Sequence, residues 1–177
     1  MVFDINKGKY ILDSNSFIAP SRSYYKLEIM PTYWEWLSNH RNDGLVIPKI
    51  VYDELINNDD ELSRWVKKNL SAIVFRDYEQ NPNFWSEYSK VMNYIQNSGY
   101  YKNPGIENWM QDTKADPKII AIAKIYDLQI VTFEQSAGNL SKKNPIKREP
   151  KIPDVAAEFG VNCIDLFKLE EFLKMVI

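Results

Sequence analysis

The sequence is poor in the residues on which many catalytic and binding sites depend. It has one cysteine, Cys163, and one histidine, His40, among 177 residues. A single cysteine excludes an internal disulfide and a cysteine-rich zinc site. A single histidine leaves mechanisms that need a Ser-His-Asp triad or paired histidines without support. The six glycines are scattered, and the sequence contains no glycine-rich phosphate-binding loop.

Long apolar runs and a strong net charge are also missing. No stretch approaches the roughly 20 apolar residues of a membrane span, and the first residues interleave charges where a signal peptide would have an apolar core. With 22 basic and 24 acidic side chains the net charge is −2, so any nucleic-acid site has to be local. Because the single cysteine favours a reducing compartment, we expect a cytoplasmic protein, and the missing apolar runs predict no membrane partner.

Apolar residues, 45% of the chain, are grouped in short segments that alternate between strand and helix patterns. Short apolar runs predict five strands, at 10–12, 45–47, 72–75, 129–132 and 161–165. Helical patterns lie between them; Asp116 is the expected N-cap of one helix, with Pro117 as its first residue. A helix over 168–177 closes the chain. These patterns predict one domain over residues 1–177, with a three-layer α/β/α fold around a mainly parallel sheet.

The middle of the chain, residues 81–113, is helical in pattern and rich in aromatic side chains. At helical spacing, Phe84 and Tyr88 are interpreted as core residues. Tyr100 and Tyr101 fall in a predicted loop, and both a core role and a base-stacking role stay open for them.

Carboxylates stand where predicted strands end and predicted helices begin. Asp13 and Glu134 follow strands, Glu54 lies in a helix, and Asp116 and Asp154 open helices. Such positions can converge at one edge of a parallel sheet, where ligands bind. Carboxylates crowded there repel one another unless a cation or shared protons compensate, and oxygen ligands suit magnesium or manganese. Each acid also has a structural interpretation, as a helix cap or a surface residue.

Four short segments place these acids in the pattern of a known family. They are Ile-Leu-Asp-Ser-Asn, Val-Tyr-Asp-Glu-Leu, Ala-Asp-Pro-Lys-Ile-Ile-Ala-Ile-Ala and Ile-Val-Thr-Phe-Glu. In this order they resemble the PIN domain, the metal-dependent nuclease fold of VapC-type toxins in toxin–antitoxin pairs. The resemblance covers about 10–166, and Lys-Ile-Pro-Asp-Val with the later Gly-Val-Asn-Cys-Ile is similar to a less characterised PIN-like branch.

The resemblance implies a catalytic role for four of these acids. Asp13 matches the first metal-binding acid of the family, Glu54 the helical acid, and Asp116 the acid that opens the later helix. Glu134 falls where most PIN domains carry aspartate, and its longer side chain moves the carboxylate. Asp154 is therefore a candidate to supplement Glu134 as a metal ligand. Supporting polar residues beside these acids are Ser14, Asn15 and Thr132.

The function implied by the resemblance is hydrolysis of RNA phosphodiester bonds. Carboxylates would hold one or two Mg²⁺ or Mn²⁺ ions, and the protein would be an endoribonuclease, the toxin of a type II toxin–antitoxin pair. Its expected partners are an RNA substrate and a cognate antitoxin protein, with a homodimer left open. Two alternatives also stay open: a PIN-like scaffold with an inactive site that acts as a protein-interaction module, and a structure-specific DNA nuclease.

A basic loop is predicted between Glu134 and Asp154. It spans 138–150, and its position in the sequence allows it to flank the carboxylates and hold the RNA backbone. A merely solvated loop is about as good an interpretation. The basic residues concerned are Lys142, Lys143, Lys147 and Arg148.

Overall fold

A computed structural model describes residues 4–176 of the chain. Within them, five short strands form one sheet: β1 Tyr10–Leu12, β2 Leu45–Pro48, β3 Val74–Phe75, β4 Gln129–Val131 and β5 Cys163–Ile164. The strands are all parallel and lie in the order β3-β2-β1-β4-β5. The strand order reverses between β1 and β4, and open α/β sheets bind ligands at the carboxyl ends of strands at such a point.

The α-helices of the described residues cover both faces of the sheet. They are α1 Asn15–Ala19, α2 Pro31–Asn39, α3 Lys49–Ile56, α4 Glu61–Asn69, α5 Phe84–Asn97, α6 Gly105–Trp109, α7 Asp116–Tyr126, α8 Ile152–Glu158 and α9 Leu166–Phe172. Because parallel crossovers are right-handed, α1 to α4 lie on one face and α5 to α8 on the other. Contacts agree, since the rings of Trp34 in α2 and Trp65 in α4 meet at 4.9 Å, and α5 packs on α7. The predicted α/β class with three layers is confirmed.

The two central strands are buried on both sides. Ile11 and Leu12 of β1 are fully buried, as are the last two residues of β4, which is why both strands appear in the sequence as unbroken apolar runs. β1 pairs with β4 residue for residue. The residues that follow, Asp13 and Thr132, therefore emerge side by side at the carboxyl edge of the sheet.

All five predicted strands are present, each within two residues of its predicted ends. The N-cap prediction for Asp116 is wrong by one position. Asp116 is the first residue of α7, and Ala115 occupies the cap position. The Asp116 carboxylate contacts Lys114, at 3.3 Å, instead of the backbone of its own helix.

The closing helix also differs from its prediction. It begins at Leu166 because Asp165 caps it, accepting a hydrogen bond of 2.8 Å from the backbone N–H of Lys168. It ends at Phe172, and Lys174 adopts a left-handed backbone with φ of 53°. The last residue of the prediction, residue 177, lies outside the described residues.

The aromatic middle of the chain forms α5 and α6. Phe84 is fully buried, as predicted, and Tyr88 is half-buried with its ring stacked on Phe84 at 5.9 Å. α5, with 14 residues, is the longest helix between residues 4 and 176. No helix in that part of the chain combines the length and apolar character needed to cross a membrane.

Candidate active site

Asp13 lies where the strand order reverses. Its backbone N–H donates to the Val131 carbonyl at 3.0 Å, which extends the pairing of β1 and β4 by one residue. Its side chain is buried, in a residue with only 2% of its surface exposed. Thr132, the residue after β4, donates its hydroxyl hydrogen bond to Asp13 Oδ2 at 2.9 Å. The two residues that follow the central strands are thus joined through their side chains.

The Asp13 carboxylate has only neutral donors around it. Ser14 Oγ donates to Oδ1 and Asn15 Nδ2 to Oδ2, both at 3.4 Å, and no lysine, arginine or histidine within residues 4–176 forms an ion pair with it. Burial raises the pKa of Asp13 to about 6. The Thr132 hydrogen bond opposes that rise, and the negative charges of Glu134 and Glu54 add to it.

Asp116 is the second acid with a strongly raised pKa. Burial raises the pKa of its carboxyl to about 7; the positive charge of Lys114 opposes the rise, and the charges of Asp13 and Glu134 add to it. Lys114 Nζ lies 3.3 Å from Asp116 Oδ2 and 2.9 Å from Glu149 Oε2. Because the charge of Asp13 contributes to the raised pKa of Asp116, the two carboxyls are close enough to interact.

Glu134 belongs to the same electrostatic group but is held by other partners. Lys151 Nζ donates to Oε1 at 2.9 Å, and the backbone N–H of Ile152, the first residue of α8, donates to Oε2 at 2.8 Å. A carboxylate at this position satisfies an orphan N–H and complements the helix dipole. Glu134 thus ties the end of β4 to the start of α8. Its N–H donates to Thr132 Oγ1 at 3.1 Å.

Glu54 and Asp154 take different positions around this group. Glu54 is exposed on α3, and its charge contributes to the raised pKa of Asp13. Asp154 anchors a loop instead: it accepts hydrogen bonds from Ser136 Oγ and, at 2.9 Å, from the backbone N–H of Ala137. Burial is the largest cause of the raised pKa values of Tyr94 and Tyr101, and the charge of Asp154 adds to both. The acids whose charges raise the pKa of Asp13 are Glu134 and Glu54.

The donor atoms at the sheet edge suit a hard divalent cation. They are carboxylate oxygens with a hydroxyl and an amide beside them, the ligand type that Mg²⁺ and Mn²⁺ prefer. As the side chains lie, no three acidic, histidine or cysteine side chains among residues 4–176 are close enough to hold one ion together. Lys114 and Lys151 occupy oxygens of Asp116 and Glu134. The donor chemistry therefore fits the ion, while two lysines balance part of the negative charge.

Sequence reasoning missed these two lysines. Lys114 precedes Asp116 by two residues, which was a visible signal, but its second partner Glu149 is 35 residues away. Lys151 reaches Glu134 across 17 residues. No local pattern indicates pairs at such separations.

The predicted basic loop is irregular, and all four of its basic side chains are exposed. Its centre is tied to the segment before α6: the N–H of Ile146 donates to the Tyr100 carbonyl, and Ile146 accepts from Lys102, both at 2.9 Å. Lys142 Nζ lies over the Tyr100 ring, 5.3 Å from its centroid. Tyr101 is buried. Of the two tyrosines left open by the sequence, Tyr101 is a core residue and Tyr100 supports the loop.

Comparisons with known proteins cover most of the chain. Residues 10–176 match the model of a family described as Domain of unknown function (DUF4411). No curated protein matches significantly. Among solved structures, the chain is similar to VapBC from Salmonella typhimurium in a DNA-bound crystal structure, with 18% identity over 89% of this chain and 98% of that chain, and a TM-score of 0.49. Neither number is high enough to transfer an activity between the two chains.

Proposed function

The chain belongs to the family described as Domain of unknown function (DUF4411), and we propose that it is a divalent-metal-dependent endoribonuclease whose site is built around Asp13. The observation that carries the proposal is the burial of Asp13 without a basic partner, at the point where the strand order reverses. Burying an unpaired carboxylate costs free energy. An asparagine would accept the same hydrogen bond from Thr132 without that cost. A bound cation would compensate the buried negative charge of Asp13.

In the proposed site, Asp13 and Asp116 hold the cation. A divalent ion there would supply activation of water and neutralisation of charge on a phosphodiester. Thr132 favours the ionised form of Asp13, because a donated hydrogen bond stabilises a carboxylate. Glu134 and Glu54 add negative charge to the site, and Ser14 and Asn15 orient Asp13. Because the oxygens of Asp154 are engaged by the 136–137 loop, we leave it out of the ligand set.

The proposed substrate is RNA, on the resemblance of the four acidic segments to PIN nucleases. The basic loop supports contact with a polyanion, since its four basic side chains are exposed and form no ion pair with the described residues. We extend the proposal to a cognate antitoxin as protein partner, on the same resemblance. The loop residues proposed to bind RNA are Lys142, Lys143, Lys147 and Arg148.

One observation favours a second candidate, a PIN-like scaffold without catalysis. Both oxygens of Glu134 are engaged, by Lys151 and by the start of α8. If those contacts persist in solution, Glu134 cannot coordinate a metal ion, and the remaining acids do not complete a ligand set. Cleavage assays separate the two candidates.

The experiment measures cleavage of single-stranded RNA and DNA oligonucleotides with Mg²⁺ or Mn²⁺. We expect RNA cleavage by the wild type and a loss of about 100-fold or more in Asp13→Asn and Asp116→Asn, as when one essential electrostatic group is removed. Glu61→Gln is the control, because Glu61 is exposed at the start of α4. Wild-type rates in Asp13→Asn would contradict the assignment. Cleavage of DNA alone would indicate a DNA nuclease, and no cleavage by folded wild type would indicate the scaffold.

A further inference from the structure

Three aromatic rings from three separate elements meet at the carboxyl edge of the sheet. Tyr24 ends the π-helical turn Pro20–Tyr24 that continues α1; Phe133 follows β4, and Phe167 lies in the first turn of α9. The Tyr24 ring stacks on Phe133 at 5.9 Å and meets Phe167 edge-on at 5.6 Å. Phe133 and Phe167 also meet edge-on, at 5.6 Å. We call these three residues the aromatic platform.

The platform is open to solvent. Tyr24 is 56% exposed and Phe167 is 41% exposed, while Phe133 is partly buried beneath them. Tyr24 and Phe167 are two of only four exposed aromatic side chains among residues 4–176. Contiguous apolar surface of this kind marks an interaction site on a soluble protein. Because two ring partners hold Tyr24 in place, its outer face is oriented before any ligand arrives, which reduces the entropy lost on binding.

The chain places the platform beside the proposed catalytic acids. Phe133 lies between Thr132, which donates to Asp13, and Glu134. Consecutive Cα atoms are about 3.8 Å apart, so Phe133 begins one residue away from the site. Phe167 follows the end of β5, the neighbour of β4 in the sheet. The platform therefore lies at the same edge of the sheet as Asp13, on the side of β4 and β5.

The segment that carries Tyr24 is basic, which suits contact with a polyanion. Arg22 and Lys26 flank Tyr24 in the sequence, and both are exposed. Neither forms an ion pair with a carboxylate of the described residues. Aromatic faces with adjacent unpaired cations are the combination that binds single-stranded nucleic acid, since bases stack on the rings and phosphates contact the cations.

We propose that the aromatic platform is a stacking site for an unpaired nucleobase of single-stranded RNA, with Arg22 and Lys26 contacting the adjoining phosphates. The inference rests on the proposed nuclease function and makes its substrate more specific: an RNA with a splayed base beside the cleaved bond, not a duplex. Unstacked bases in loops and single strands are the usual targets of such aromatic sites.

The test measures binding without cleavage. A labelled single-stranded RNA oligonucleotide is titrated with protein in EDTA, and fluorescence anisotropy gives Kd. Tyr24→Leu keeps an apolar side chain but removes the ring, and we expect its Kd to rise about tenfold. Tyr24→Trp should restore binding. The matched control is Trp85→Leu, because Trp85 is 51% exposed on α5 and also packs against two rings, yet lies on the other face of the sheet.

A second arm uses oligonucleotides with one abasic residue at successive positions. Wild type should lose affinity at one position, and Tyr24→Leu should show no further loss there. Equal Kd values for wild type and Tyr24→Leu would overturn the platform. So would equally tight binding of duplex RNA, or a change from dimer to monomer in Tyr24→Leu by sedimentation, which would identify the platform as a contact between copies of the chain.

The outcomes for the platform and for the nuclease are separable. Binding in EDTA needs no metal and no catalysis. If wild type cleaves no RNA but Tyr24→Leu binds RNA more weakly than wild type does, the platform is supported and the nuclease function is refuted. A wild type that cleaves RNA, with Kd and KM unchanged in Tyr24→Leu, keeps the nuclease and refutes the platform.

Discussion

Two acids of this protein are buried and have raised pKa values, and they differ in what surrounds them. Asp13 lies at the carboxyl edge of the sheet with a pKa of about 6, and Glu170 lies in α9 with a pKa of about 7. Burial is the largest cause in both. Each also accepts a hydroxyl hydrogen bond from a residue more than 100 positions away in the chain, Asp13 from Thr132 at 2.9 Å and Glu170 from Tyr25 at 3.2 Å.

The surroundings of Glu170 are aromatic. The rings of Tyr25 and Tyr33 stack with centroids 4.0 Å apart, and burial, with the charge of Glu170 added, raises the pKa of Tyr25 to about 12. Glu170 Oε1 and the Tyr33 hydroxyl have no hydrogen-bond partner among the described residues. Protonation of Glu170 removes the buried negative charge, and with it the free-energy cost of burying that charge.

The surroundings of Asp13 are acidic. Glu134 and Glu54 raise the pKa of Asp13, and Asp13 and Glu134 raise that of Asp116. One cation placed among these groups relieves several repulsions at once. Glu170 has one acid that raises its pKa, Asp165, whereas Asp13 and Asp116 each have two. The comparison teaches that a raised pKa alone does not identify a functional acid, whereas a cluster of mutually repelling acids does.

The largest expected difference between the two acids is in metal-dependent stability. A ligand that binds only the native state stabilises it by about 2.7 kcal/mol when its concentration is roughly 100 times Kd. For Mn²⁺ at that concentration, this stabilisation raises the Tm of a chain of this size by several degrees. We expect this rise in wild type and in Glu170→Gln, and its loss in Asp13→Asn, as measured by differential scanning fluorimetry.

Two results would break the comparison. Equal Mn²⁺ shifts in wild type and Asp13→Asn would place the metal elsewhere, and a shift lost in Glu170→Gln would make both acids part of one site. Glu61→Gln, an exposed acid of α4, serves as the unaffected control.

The next difference concerns pH. A carboxyl whose pKa is higher in the folded state binds more protons there than in the unfolded chain, so the free energy of unfolding falls as pH rises between the two values. For Asp13 this window runs from about 4 to about 6, and for Glu170 from about 4.5 to about 7. Relative to wild type in EDTA, each neutral variant should gain on the order of 2 kcal/mol across its own window.

Urea unfolding at intervals between pH 4 and pH 7 measures these gains. Asp13→Asn should stop gaining near pH 6, whereas Glu170→Gln continues toward pH 7. A difference between Asp13→Asn and wild type that stays constant from pH 4 to pH 7 would show that the pKa of Asp13 is not raised in the folded state.

The smallest difference separates the two hydroxyl donors. Thr132→Val and Tyr25→Phe each remove one hydrogen bond to a buried carboxyl, which costs about 1 kcal/mol of stability. Because the Thr132 bond lowers the pKa of Asp13, its loss should raise that pKa further and weaken the Mn²⁺ shift. Tyr25→Phe should leave the Mn²⁺ shift unchanged. A shift reduced equally in both variants would refute a site centred on Asp13 alone.

Several features were predictable because they depend on neighbours in the sequence. β1 and β4 appear as short apolar runs because both of their faces are buried, and polar residues begin where each strand leaves the core. Asp13 and Thr132 were therefore assigned to strand ends correctly. The parallel sheet followed from the alternation of strands and helices.

Other features were not predictable, because they join residues far apart in the chain. Asp154 was expected to supplement Glu134, but its carboxylate anchors the 136–137 loop. The sequence predicted only that Lys151 lies at the start of a helix, whereas in the structure it also forms an ion pair with Glu134. Choices between such partners depend on differences of a few ångströms, which periodicity does not encode.

The amino-acid sequence by itself determined the strands, the helices and the order in which acids follow them, since period and propensity act over a few residues. Only the tertiary structure decided which of these acids form ion pairs with lysines and which do not. Asp13 meets hydroxyl and amide groups, while Asp116 and Glu134 meet Lys114 and Lys151. Electrostatic energy depends on distance through space and on burial, and both are set only once the sheet and its helices have packed.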